Sequence, residues 1–172
     1  MPAMRFDTAM ITGMMEGAIK FCASKTGLKD RKQILESMRR GDCSVCEFLR
    51  YGLAKAVADY LGSMDENVRA IYTYEPEYAA SGDGSLPDRP ISSPGISMIA
   101  WVSRKSAALS SVVASVSSAL AGEYKRLACP RVNALCYDLD VAIADDDEVR
   151  RRIGYGALIG SLNVRPIEVW RR

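Results

Sequence analysis

Between residues 96 and 143 the hydrophobic period changes twice, and those changes restrict the fold more than any other stretch. Ile96-Ser97-Met98-Ile99-Ala100-Trp101-Val102 is short, rich in β-formers and apolar at both parities, as a strand covered on both faces must be. Over residues 107–127 the apolar positions fall at three- and four-residue steps: Leu109, Val112, Val113, Val116, Leu120, Tyr124 and Leu127. Ser110, Ser111, Ser115, Ser118 and Lys125 occupy the other side, so the segment reads as an amphipathic helix laid on a sheet. Pro130 bars its continuation. Leu135, Tyr137, Leu139, Val141 and Ile143 then alternate with Cys136, Asp138, Asp140 and Ala142, the pattern of a half-buried strand. Strand, helix and strand in that order predict a parallel pair joined by a right-handed crossover.

The flanking segments supply further elements. Met10, Met14, Ala18 and Phe21 stand near helical spacing in a methionine-rich N-terminal segment, residues 1–27, read as an arm or helix beside a single α/β domain of residues 28–172. A short helix is expected over residues 30–40, stopped by Gly41. A second is expected to start at a Ser44/Glu47 capping box, with Cys43 and Phe48 as its hydrophobic staple, and to end at Gly62. Its stripe is Val45, Leu49, Leu53, Ala56, Val57, Tyr60 and Leu61. Residues 68–74 read as an interior strand closed by Glu75-Pro76, and residues 79–95 as a glycine- and proline-rich loop. Asp145 to Glu148 is a helix start, its acids opposing the positive end of the dipole, with an apolar run from Val149 to Leu162 behind it. Residues 165–170 form a short edge strand. The fold class is therefore α/β (α+β): a mixed sheet of about four strands with helices packed mainly on one face, plus the N-terminal helical segment.

Chemistry is bounded first by what the chain lacks. With no histidine, the usual general base, triad member and commonest metal ligand are missing together. A net charge of +2, with 26% of residues charged in both signs, gives no strong field toward nucleic acid or an anionic membrane. The 5 cysteines are an odd number in a chain long enough to build its own core, which points to a reducing, cytoplasmic setting rather than a disulfide framework. Asp7, Glu16 and Lys20 interrupt the apolar N-terminal residues, so no membrane span forms there.

Two constellations merit attention. Strand alternation puts Asp138 and Asp140 on one sheet face, and Glu75 and Glu77 at the end of a neighbouring strand can add to them. Such hard oxygen ligands suit Mg²⁺-assisted phosphoryl or nucleotidyl transfer, while a solvated sheet face accounts for the same alternation without chemistry. Cys43-Ser44-Val45-Cys46, at a helix start, has the spacing of a reversible dithiol, the alternative being a staple and a small buried residue. Arg104, Lys105, Arg150, Arg151 and Arg152 read as a solvated basic face.

The order helix (44–61), strand (68–74), loop, strand (96–102), helix (107–127), strand (134–143) resembles the minimal nucleotidyltransferase fold of the polymerase-beta type. Val68-Arg69-Ala70-Ile71-Tyr72, after a long helix, is similar to that family's first strand. The family follows this strand with Gly-Ser and opens the next with a metal-holding Asp-x-Asp. Here Glu75-Pro76 and Ile96-Ser97-Met98-Ile99 stand instead, and Asp138 or Asp140 alone corresponds to the family's remaining aspartate. The resemblance thus implies a degenerate member that binds a nucleotide or partner without reacting. The leading expectation is a non-catalytic binding or regulatory protein, leaning away from an enzyme, that meets a protein partner or forms a homo-oligomer through its Met-rich arm or edge strand. The alternatives are a Mg²⁺-dependent transferase using Asp138 and Asp140, with Glu75 and Glu77, and a dithiol protein using Cys43 and Cys46.

Overall fold

The computed structural model describes residues 7–40, 42–75, 95–128 and 139–172. Three helices come first: α1 (Thr8–Thr26), α2 (Arg31–Arg39) and α3 (Cys43–Met64). There follow β1 (Val68–Tyr74), β2 (Ile96–Val102), α4 (Ala107–Ala128), β3 (Leu139–Asp145), α5 (Asp146–Arg151), α6 (Gly156–Ile159) and β4 (Ile167–Arg171). The four strands form one mixed sheet in the order β3-β2-β1-β4. The loop expected over 79–95 and the proposed strand residues 134–138 lie outside the described residues, apart from Gly95.

Each helix of the N-terminal layer starts where an aspartate can take an orphan amide. Asp7 accepts from Ala9 at 2.9 Å, Asp30 from Lys32 at 3.0 Å and Asp42 from Val45 at 3.2 Å. The third of these corrects the capping expectation. The helix opens at Cys43 with Asp42 as its cap, not at a Ser44/Glu47 box, because an ionised carboxylate caps as well as a hydroxyl and adds favourable charge at the dipole's positive end. Gly62 does not end it either. The helix runs on to Met64, and Gly62 is small because Trp170 of β4 lies against it: a Cβ there would fall 2.3 Å from the indole ring.

α3 is the centre of the helical layer. Val45, Leu49, Leu53, Val57 and Leu61 are buried as the stripe requires, and Ala54 and Ala58 are buried as well, because this helix is covered by the sheet on one side and by α1 on another. α4 lies beside it over β3, and α1 packs on both. α2 is fastened to its neighbours by Arg31, which pairs with Glu16 at 2.6 Å, and Arg39, which donates to the Leu127 carbonyl at 2.9 Å. The methionine-rich α1 is thus part of this domain's core: Met14 is 8% and Met15 0% exposed, so neither is displayed to a partner.

β1 and β2 are antiparallel, and β2 and β3 are parallel, joined by α4 as strand–helix–strand demands. β4 pairs antiparallel to β1 and therefore runs with β2 and β3. Residues 146–166 accordingly form a second crossover, from one sheet edge to the other, in the direction opposite to that of α4. Two right-handed crossovers travelling in opposite directions belong on opposite faces of a sheet. Contacts agree: Trp101 Nε1 donates to Asp146 at 2.8 Å, and Trp101 shares its face with Ile99, not with the helix-facing Met98 and Ala100. The helix expected to start at the Asp145–Glu148 acids is present, opened by an Asp145/Glu148 capping box, and Arg69 (2.6 Å to Asp146) and Lys105 (2.8 Å to Glu148) pin α5 to the sheet's end. Among the described residues no helix is long and apolar enough to cross a membrane.

Candidate functional site

The registers put three polar side chains in a row across the sheet face that carries the second crossover. Tyr74 of β1 pairs with Ser97 of β2, which pairs with Asp140 of β3. Asp140 stands exposed between buried Leu139 and Val141, since alternation sends those two to the helices. Burial pushes the Tyr74 phenol above its ordinary pKa, and Tyr155 of the crossover and the Asp140 carboxylate push it the same way, so at neutral pH it remains a neutral donor.

Glu75, one residue further, turns the other way. Arg50 of α3 donates to both its carboxylate oxygens at 3.3 Å, on the helix side of the sheet. The two described carboxylates of the proposed metal set therefore serve opposite sides, while Glu77 and Asp138 lie outside the described residues. Among the described residues, no group of three or more His, Cys, Asp or Glu is placed to hold a metal ion.

Of the dithiol pair, the Cys43 side chain lies outside what is described, and Cys46 is a half-buried thiol in the first turns of α3. Its described thiol neighbour is on α1: Cys22, fully buried, donates to the Val45 carbonyl at 3.6 Å. Burial above all raises the Cys22 pKa, and Cys46 and Asp42 add to the rise, leaving it a poor nucleophile at neutral pH. Iodoacetamide is accordingly expected to alkylate Cys46 in the native protein at least tenfold faster than Cys22. Equal rates in a mass-resolved time course would mean that α1 lifts from α3.

The feature that sequence reasoning missed lies in the second crossover. The sequence reading places a helix start at Asp145–Glu148 and an apolar run from Val149 to Leu162 behind it, with no break between them. Instead α5 stops at Arg151 with Arg152 left-handed (φ 54°), a turn carries Gly154 at φ 52°, and α6 is one turn long. Three of the five exposed large hydrophobic residues among those described fall in this stretch, Ile153 (43%), Tyr155 (46%) and Leu162 (86%), while a fourth, Ile167 (54%), opens β4 just after it. Residues 149–167 contain four arginines and no acid or lysine. Arg150 and Arg151 both pair with Asp147, whereas Arg152 and Arg165 meet no carboxylate among the described residues. The signal available beforehand was Gly154 and Gly156 inside the apolar run.

Comparison with protein-family models, curated proteins and solved structures finds no match to this chain.

Proposed function

We propose that this is a non-catalytic binding or regulatory protein that works by contact with another polypeptide, a second copy of itself included, through the surface of the second crossover. The observation that carries this is the concentration of exposed Ile153, Tyr155 and Leu162 in one short segment of a protein whose other large apolar side chains, Met64 and Ile167 aside, are at least partly covered among the described residues. Tyrosine and arginine, both present there, are the residue types that protein interfaces enrich. Within this proposal the nucleotidyltransferase-like element order is a scaffold from which transfer chemistry has been lost. The cytoplasm is its proposed compartment, in keeping with the Cys22 and Cys46 thiols.

A thermal-shift screen separates binding from transfer. Nucleotides with Mg²⁺ or Mn²⁺ are expected to leave the melting midpoint of the full chain unmoved, since a ligand stabilises only the state that binds it. A metal-dependent rise that Asp140→Asn abolishes would instead establish the phosphoryl or nucleotidyl transfer alternative at the Tyr74–Ser97–Asp140 row.

A further inference from the structure

We propose that the surface bounded by Arg152 and Arg165 recognises an acidic polypeptide segment, the two guanidinium groups taking its carboxylates around an apolar centre of Ile153, Tyr155 and Leu162. This rests on the protein-binding function proposed above and specifies the chemistry of the partner.

Among the described residues, Arg152 (φ 54°) and Arg165 (φ 48°) are the only non-glycine residues with positive φ. Arginine has no short polar side chain to reward the left-handed conformation locally, as asparagine or aspartate has, and glycine would occupy either position without strain. At the end of α5 a left-handed residue is ordinarily glycine. Both arginines are exposed and neither meets a carboxylate among the described residues, Arg165 donating only from Nε to the Leu162 carbonyl at 3.1 Å, whereas Asp147 pairs with the two just before Arg152. Two exposed guanidinium groups that meet no carboxylate among the described residues can take carboxylates from a binding partner.

The turns between them form one hydrogen-bonded string. Ile153 accepts from Ala157 at 3.3 Å, Tyr155 from Leu158 at 3.1 Å, Leu158 from Ser161 at 3.1 Å and Ser161 from Arg165 at 3.0 Å. Leu162 is thereby held at 86% exposure in an ordered turn. The cations are all arginine, whose planar fork takes a carboxylate through two parallel bonds. A lipid surface would be served as well by lysine, and none is present in residues 149–167. That asymmetry favours a carboxylate-bearing polypeptide over a membrane.

The test titrates the full chain into three probes followed by fluorescence anisotropy or co-sedimentation: a labelled synthetic peptide of alternating Glu and Leu, its Gln-for-Glu counterpart, and phosphatidylserine–phosphatidylcholine vesicles. The Glu peptide is expected to bind at least tenfold more tightly than the Gln peptide and to weaken as salt rises. In Arg152→Gly/Arg165→Gly binding should fall tenfold or more while the melting midpoint holds or rises, because glycine relaxes both backbone positions. A merely structural pair of arginines would move both readouts down together. No binding of the Glu peptide, equal binding of the Gln peptide, or unchanged binding by the glycine variant overturns the proposal, and binding to vesicles alone replaces the polypeptide with a lipid surface. Failure here with a silent nucleotide screen leaves the protein-binding function standing, whereas a metal-dependent nucleotide shift removes that function itself.

Discussion

Gly156→Ala is expected to destabilise the protein by about 3 kcal/mol, a large fraction of what a single domain has to lose. A Cβ at this buried glycine would lie 2.4 Å from the carbonyl carbon of Glu148, 2.5 Å from its oxygen and 2.6 Å from the Val149 nitrogen. Those are backbone atoms of α5, so no rotamer change relieves the overlap, and α6 must separate from α5. Gly160→Ala is the matched control, with no atom within 4 Å of the added carbon, and should stay within about 0.5 kcal/mol of the parent. Urea unfolding followed by circular dichroism reads both. If the two variants melt alike, the α5–α6 packing described above is wrong.

Leu53→Ala should cost a similar amount, about 3 to 4 kcal/mol. Leu53 is fully buried at the middle of α3, in the cluster that joins Met15 and Ala18 of α1 to Ile71 and Met98 of the sheet. Its removal leaves a cavity between layers already held apart by their other side chains, so collapse is limited and the loss exceeds the transfer energy of the missing atoms. The expected signature is a lower urea midpoint with an unchanged slope. A loss under about 1 kcal/mol would mean that the layers close over the gap and that α3 is not the rigid centre of the packing.

Periodicity and local chemistry made most of this fold legible. The limits of β1 and β2 were readable because each is a run of β-formers bounded by turn residues, and the start of α5 because acidic residues suit the first turn of a helix. The start of α3 was misplaced because Ser44 and Glu47 complete a capping-box pattern in sequence, whereas the cap is Asp42, two residues earlier, a choice that only geometry decides. Gly62 was misread for a different reason: its partner Trp170 is more than a hundred residues away, and no local pattern announces a close approach of that kind. The candidate binding surface was hidden in the same way. Arg152 and Arg165 are ordinary letters in the sequence, and their left-handed backbone exists only once the crossover has wound across the sheet.

The strand order carries a further consequence for how the molecule is made. β1 lies between β2 and β4, yet Arg172, just past β4, reaches back 104 residues to the Val68 carbonyl and 110 residues to that of Gly62. Contacts of such high order slow folding, because the intervening chain must be confined before they repay its entropy. During vectorial synthesis any sheet formed before β4 is made has at most three of these strands, with the β4-facing edge of β1 bare. Nascent chains arrested before residue 167 are the species in which that edge is open to a chaperone or to another nascent chain.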